Sequence, residues 1–322
     1  MSDYRIKHFN SDFKVEEILP YLPEKGGSIK LYILEKEGIS TFDAIDFICN
    51  KFDFNRFDVS CAGLKDEDGI TKQHITFRAL TDNIESIIKI KQGFIRLTYL
   101  YDTRSMLEPG AVFGNKFELI VRNVDVSFKI PDSFAFVNYY GTQRFGFPNE
   151  IKDSHIIGRY IKNEDFNGLN LYLKQYNRFD AHPYLRNKQS YENCPRSAFL
   201  KSSYSSFIWN NKLNDLVKNK SEYITEKNID EISYTYGDLK FYEDDMEYIT
   251  FYSYKVNSNG IEDFKKKDRK TFCQVQFIKS ETITKSTVGD KCNIKLSFVL
   301  ETGSYATVFI DQLMCQGNHI NK

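Results

Sequence analysis

A charged turn set between two apolar runs constrains this chain more than any other feature. From Cys61 to Phe77 the residues read CAGLKDEDGITKQHITF. The stretch from Phe57 to Gly63 has the pattern of a strand that opens at Gly63. Beyond the turn, Ile75 and Phe77 fall on one face while Lys72, His74, Thr76 and Arg78 fall on the other, the alternation of a half-buried strand. Asp68-Gly69 has the composition of a tight turn. Asp66, Glu67 and Asp68 therefore sit in a loop between two strands, and local chemistry does not choose among them, because charged hairpin tips are commonly just solvated.

The same alternation recurs along the chain. Ser28 to Glu35 reads as a strand with Ile29, Leu31 and Ile33 on one face. Lys116 to Arg122 alternates, as does Asn293 to Leu300 with Ile294, Leu296, Phe298 and Leu300. Thr41 to Phe52 reads as an amphipathic helix with Phe42, Ile45, Cys49 and Phe52 on one stripe, Ser40 as its N-cap and Asp43 in the first turn. After Gly303-Ser304 a short helical pattern places Ala306, Ile310 and Leu313 together. Alternating strands with a few helices predict an α+β fold with a mostly antiparallel sheet. Between Phe147 and about Arg269 the character changes: a helical pattern spans Ile156 to Lys174, followed by sequence rich in Tyr, Asn, Ser and Lys.

Composition sets limits without selecting a function. A chain of 322 residues with 41% hydrophobic and 27% charged residues is that of an ordinary globular protein with room for two domains. No apolar stretch reaches membrane-spanning length and the start, MSDYRIKHFN, lacks a signal-peptide core, so a cytoplasmic protein with no membrane partner is expected. Six cysteines without a C-x-x-C pair predict free thiols and no metal site. The zero net charge argues mildly against a nucleic-acid partner, but charge is uneven: Lys265, Lys266, Lys267, Arg269 and Lys270 form a basic run that reads as a solvated loop or a phosphate contact. Lys7, Lys65, Lys72, Arg78 and Arg144 are better phosphate candidates than that run. Phosphate-loop, dinucleotide and H-E-x-x-H patterns are absent.

A second segment, Asn138 to Gly146, reads NYYGTQRFG. Taken with AGLKD and the following T-x-Q (Thr71 and Gln73), it closely resembles the TruD family of tRNA pseudouridine synthases, which carries an AG-x-KD loop, T-x-Q and an N-[YF]-F-G-x-QRFG block. DFKVEEI (Asp12 to Ile18), GAVFGNKFELIVRNV (Gly110 to Val124) and FVLETGSYATVFIDQL (Phe298 to Leu313) match in the same order, with weaker agreement in KSSYSSFIWN (Lys201 to Asn210) and GDL (Gly237 to Leu239). The resemblance implies a pseudouridine synthase catalytic core in residues 1–150 and 270–322, interrupted by an inserted α+β domain of TRUD type in residues 151–269. The insertion departs most: Ser205 stands where the family's R-S-x-x-F-N segment begins with Arg.

What the resemblance implies chemically is the isomerisation of uridine to pseudouridine, expected at position 13 in the D-arm of tRNA, without a cofactor and by a monomer. The base must leave C1′, turn and rejoin through C5. That calls for a nucleophile or base, which a carboxylate ionised at neutral pH supplies, and for a slot that retains an extruded base between aromatic faces and amides. By resemblance Asp66 is the catalytic aspartate, and Phe13, Asn138, Tyr140 and Tyr305 contact the uridine. Lys7, Lys65, Gln73 and Arg144 support them, any of the three cations being a partner for Asp66. Tyr140 replaces the Phe of most bacterial relatives, which offers a hydroxyl for proton transfer. A catalytically silent RNA-binding module and a synthase acting on another RNA are the alternative readings.

Overall fold

The computed structural model of the protein describes residues 4–65, 67–78, 83–84, 86–146, 151–178, 197–237, 248–256, 262–285 and 290–316. Contacts divide the chain into two compact units, one comprising Met1–Phe134 and Val275–Gly303, the other Ala135–Gln274 and Ser304–His319.

In chain order the elements begin with β1 (Phe13–Ile18), β2 (Lys25–Glu37), α1 (Thr41–Phe52), β3 (Val59–Cys61) and β4 (Ile70–Phe77). They continue with β5 (Ser86–Ile90), β6 (Gly93–Thr103), β7 (Gly114–Asp125), β8 (Phe134–Val137), α2 (Ser154–Lys162), α3 (Phe166–Gln175) and α4 (Ser197–Lys220). The last are β9 (Ile224–Ile229), β10 (Ile232–Gly237), β11 (Tyr248–Val256), β12 (Glu262–Lys270), β13 (Phe272–Val275), β14 (Lys279–Lys285), β15 (Lys291–Glu301) and α5 (Ala306–Gln316).

The first unit is built on a nine-stranded sheet of order β14-β15-β7-β1-β4-β2-β6-β5, with β3 also paired to β4. Among its described pairings only β1 with β4 is parallel, in the register Lys14 to Ile70; the rest are antiparallel. The fold is the expected α+β class with a mostly antiparallel sheet. In β4 the alternation holds for Ile75 and Phe77, which are buried. Thr76, expected on the outer face, is buried as well, its hydroxyl donating to the Ser60 carbonyl and accepting from the Leu107 amide. Ile294, Leu296, Phe298 and Leu300 of β15 are buried together.

Two patterns resolve differently from expectation. In β2 Tyr32 and Leu34, with Lys36 in the same parity, face the cluster that holds α1, while Leu31 on the opposite face is fully buried as well, so the middle of the strand is covered on both faces. On α1 the buried stripe is Thr41, Ala44, Ile45, Ile48 and Cys49, and Phe42 is 54% exposed. Ser40 caps this helix as expected, accepting from the Asp43 amide. Ile45 and Ile48 pack with Tyr32, Leu34, Ile75, Phe77 and Ile95 into one cluster. Each such buried chain contributes roughly 1.5–3 kcal/mol, which fixes α1 across the sheet.

The second unit is organised around α4, whose hidden face is largely polar. Ser202, Ser203, Ser206, Asn210 and Asn214 are all buried on it, beside Trp209, Leu213 and Val217. Buried polar groups need partners, and here they find loop and strand backbone: Asn210 brackets Tyr140 from both sides, and Asn214 bonds Ser233 and Thr235 of β10. The single helical pattern expected from Ile156 to Lys174 is two helices, α2 and α3, separated where Glu164 takes a left-handed φ of 54° and Asp165 caps the second. Cys49, Cys61, Cys273, Cys292 and Cys315 are free thiols, and Cys194 lies outside the described residues. No described helix is long and apolar enough to cross a membrane.

Candidate active site

Asp66 itself lies outside the described residues, but the chain on either side of it is closely held. Lys65, the preceding residue, donates its amide to the Thr41 hydroxyl at 2.9 Å, and its carbonyl lies 3.2 Å from that hydroxyl and 3.3 Å from Nζ of Lys36. Lys36 is fully buried and also donates to the Ile39 carbonyl. Gln73, the Gln of T-x-Q, reaches across from β4: its Nε2 donates to the Gly63 carbonyl at 2.8 Å and its Oε1 lies 2.8 Å from the Thr41 hydroxyl. The run Gly63 to Lys65 is thus fastened at both of its ends by buried side chains from β2, α1 and β4.

The Lys65 ammonium points inward and pairs with Glu17 of β1 at 2.9 Å. The Glu17 side chain is wholly buried, and its other oxygen accepts the His74 amide at 3.0 Å, with His74 Nδ1 3.4 Å away. Burial alone raises the Glu17 carboxyl, but the hydrogen bonds from His74 and the charge of Lys65 outweigh it and hold the group below the ordinary glutamate range. Of the three cations expected near the catalytic acid, Lys65 is therefore engaged by Glu17. His74, expected on an outward strand position, is drawn against Glu17 by that same carboxylate. Gly63 allows the arrangement: a Cβ there would lie 2.9 Å from both Glu17 Oε1 and Lys65 Nζ.

Phe13 stands at the other end of the loop. Gly69, with φ at 138°, would place a Cβ 2.5 Å from the Phe13 carbonyl and 3.1 Å from its ring, so only glycine fits. Phe13 is 4% exposed, edge-on to Phe117, with the Lys7 ammonium 4.3 Å over its ring centre. Asp12 just before it is buried and held by both Arg122 Nε and Nη2, at 2.7 and 2.8 Å. Burial pushes the Asp12 carboxyl up, and the Arg122 bonds more than offset that.

In the second unit, Asn138, Tyr140, Arg144 and Tyr305 gather around α4 and β12. Tyr140 is nearly buried; Asn210 bonds its amide and carbonyl, and its ring meets Tyr305 edge-on at 5.8 Å. No hydrogen-bond partner for the Tyr140 hydroxyl occurs among the described residues. Arg144 donates to the hydroxyls of Ser202 and Ser206 and lies over the rings of Tyr140 and Phe199. Asn138 donates from Nδ2 to the Lys270 carbonyl, and its own carbonyl accepts from Trp209. The basic run that read as a loop or phosphate contact is strand β12. Lys266 and Lys267 are exposed there, but Arg269 is buried, its guanidinium 4.1 Å over the Tyr140 ring.

The family model described as tRNA pseudouridine synthase D (TruD) matches residues 2–180, a span that includes the loop around Asp66 and the Asn138 to Gly146 block. The chain belongs to the TruD family. It is thereby a pseudouridine synthase, an isomerase. A Methanococcus maripaludis protein assigned as tRNA pseudouridine synthase D 1 is 27% identical over 96% of this chain and 98% of its own length. The tRNA pseudouridine synthase D of Aquifex aeolicus is 25% identical over 97% and 98%. The crystal structure of a Methanosarcina mazei protein assigned to TruD superposes with a TM-score of 0.59 over 96% of this chain and 93% of that one, at 19% identity, a likeness of fold.

Within this TruD chain, sequence reading missed Glu17, Lys36, Thr41 and Arg269. Glu17 stood in the DFKVEEI match, and Lys36 shares the parity of Tyr32 and Leu34 in an alternating strand; both were legible as inward-facing charges. Thr41 and Arg269 carried no local signal that set them apart from a helix start and a solvated basic run.

Proposed function

We propose that this protein isomerises uridine to pseudouridine in tRNA, at position 13 of the D-arm, with Asp66 as the nucleophile acting on a uridine extruded from its stack. Phe13, Asn138, Tyr140 and Tyr305 are the residues proposed to receive the base, with Lys7, Lys65, Gln73 and Arg144 supporting them. The observation that carries the reading is the fastening of the chain on both sides of Asp66, by Lys36, Thr41 and Gln73 before it and by the contact of Gly69 with Phe13 after it. A solvated hairpin tip has no use for a buried lysine and a buried glutamine spent on loop carbonyls, whereas a carboxylate that must meet C1′ or C6 of a bound base does.

The supporting chemistry is consistent. Lys36 brings positive charge to the Lys65 carbonyl, next to Asp66 in the chain. Asn138 and the Tyr140 ring supply an amide and an aromatic face, the pair of features by which an extruded base is read and retained. The Tyr140 hydroxyl, without a hydrogen-bond partner among the described residues, is proposed to take or give a proton during reattachment. The proposed organisation keeps a catalytic core in residues 1–150 and 270–322 with an insert between, working as a cytoplasmic monomer.

The test is to incubate the protein with a tRNA transcript and map pseudouridine at single-nucleotide resolution, with Asp66→Asn in parallel. Pseudouridine at position 13 with wild type, and at least 1,000-fold less with Asp66→Asn, is the expected result. Equal product from the variant overturns the role of Asp66. RNA binding without product in any transcript leaves a silent binder, and product at another position or in another RNA replaces the substrate assignment.

A further inference from the structure

Arg269 has an unusual environment. It is 6% exposed, no carboxylate lies within ion-pairing distance of it among the described residues, and its Nε is buried without a partner. Leaving a guanidinium buried without a counter-ion costs several kcal/mol. A purely adhesive residue at this place, joining β12 to the segment after β8, is achieved at lower cost by a neutral side chain.

What the guanidinium does touch is specific. Nη2 donates to Asn138 Oδ1 at 2.9 Å and to the Asn138 carbonyl at 3.2 Å, while the cation lies 4.1 Å over the Tyr140 ring and 5.5 Å from that of Trp209. Asn138 Nδ2 in turn donates to the Lys270 carbonyl at 3.0 Å. The two ends of this amide are therefore held by partners of opposite kind. Turning it over would set its NH2 against the guanidinium and its oxygen against a carbonyl, donor against donor and acceptor against acceptor. A primary amide still has one N–H and one oxygen lone pair to offer after these bonds are made.

We infer that Arg269 is the residue that fixes the donor–acceptor polarity of the Asn138 amide, and through it the selection of uracil over cytosine. Uracil presents N3–H as donor beside O4 as acceptor. Cytosine presents the reverse, N3 as acceptor beside an N4 amine. An amide locked one way pairs with the first and opposes the second; an amide free to turn over accepts both. The inference rests on the reading of Asn138 as a base contact proposed above. Arg269 acts through Asn138 and is a positioning residue.

Trp209 supplies the readout. It is the only tryptophan in the chain, and its Nε1 donates to the Asn138 carbonyl. Titrating the full-length protein with short oligouridine and oligocytidine, and following tryptophan emission, measures occupancy beside Asn138 whether or not product forms. Wild type is expected to respond to oligouridine at concentrations at least about 10-fold below those of oligocytidine, the size of one mismatched buried hydrogen-bond pair. Arg269→Gln, with its circular dichroism and melting point checked against wild type, is expected to bring the two within about 3-fold of each other, mainly by tightening cytidine binding. Arg269→Lys, which keeps a group that can only donate to Oδ1 where Gln can turn over and accept, is expected to retain most of the preference, and it decides the matter where the Gln variant does not fold.

Wild type without a preference, or a folded Arg269→Gln that keeps the full preference, overturns the inference. So does a variant that loses affinity for both oligomers equally, since that describes a general RNA contact. A wild type that prefers uridine yet forms no pseudouridine in tRNA overturns the proposed activity and leaves this inference standing. Pseudouridine formation with an unaltered preference in Arg269→Gln does the opposite.

Discussion

Lys65 Nζ lies 2.9 Å from Glu17 Oε1, across 48 residues of chain, and both side chains are out of solvent. This pair ties the loop before Asp66 to a central strand of the sheet. Its two members cannot be judged separately, because removing either leaves a buried charge without its partner.

Glu17→Ala is accordingly expected to destabilise the first unit by about 3–5 kcal/mol, read from denaturant unfolding. The double variant Glu17→Ala with Lys65→Met removes both charges and is expected to recover more than half of that loss. Recovery isolates the orphaned ammonium as the cause; its absence would mean that the hydrogen bonds to His74 dominate instead.

The pair also predicts an acid limb. Glu17 is held below its ordinary value of 4.5, so its contribution is fully present above that pH and is lost as pH falls through the lower folded-state value. Asp12, lowered from 3.8 by Arg122, acts with the same sign. Stability is expected to be level with respect to these groups from neutrality to about pH 5 and to fall below it. In Glu17→Gln the fall between pH 4.5 and 3 is expected to be shallower than in wild type, as measured by urea midpoints across that range.

Gly63→Ala places a methyl group against both atoms of the ion pair. The pair must part or the loop must shift, at about 1–3 kcal/mol. Because the loop leads directly into Asp66, turnover is expected to drop at least 10-fold even at temperatures where the variant remains folded. A variant with wild-type turnover would detach the geometry of this loop from catalysis.

Tyr140→Phe separates ring from hydroxyl. The hydroxyl has no partner among the described residues, so folding stability is expected to change by less than about 0.5 kcal/mol. If the hydroxyl moves a proton, single-turnover pseudouridine formation slows about 10–100-fold while RNA affinity holds. An unchanged rate assigns the residue a stacking role alone.

Replacing Gln73 by Ala removes the tie from β4 to the Gly63 carbonyl and leaves the Thr41 hydroxyl with one bond fewer. The expected loss is about 1–3 kcal/mol for the unsatisfied buried groups. It is accompanied by a fall in kcat larger than any rise in KM, since the tie positions the loop and does not itself touch RNA in the proposed mechanism.

Much of the first unit was readable from residue order. β4, β15 and the capped start of α1 follow directly from alternation, helical spacing and Ser40. Periodicity says which residues share a face but not how far each face is covered, and on β2 the neighbours Leu31 and Tyr32, on opposite faces, are both fully buried. α4 escaped for a different reason. Its hidden row of Ser202, Ser206, Asn210 and Asn214 looks like solvent-facing sequence, and only the partners waiting for those side chains, the Arg144 guanidinium and the backbone of Tyr140 and Ser233, reveal why they are inside. Glu17 with Lys65, and Arg269 with Asn138, are pairings over 48 and 131 positions, which one sequence does not display. Motif agreement singled out Asp66, Asn138 and Tyr140 because it compares order along the chain, whereas their supports depend on contacts across it.

The parallel pairing of β1 beside β4 makes the loop tolerant in one place and intolerant in another. Its register brings Ile70 beside Lys14, so Gly69 meets Phe13 wherever the intervening residues run. The other fixed point is Lys65, and Asp66 is bonded directly to it. Length added between Glu67 and Asp68 lies beyond the acid and can be absorbed as slack, while one residue inserted between Lys65 and Asp66 carries the carboxylate off its mount. Natural variation in loop length within the family is thus expected on the Gly69 side of the aspartate, with the Lys65 side kept at constant length.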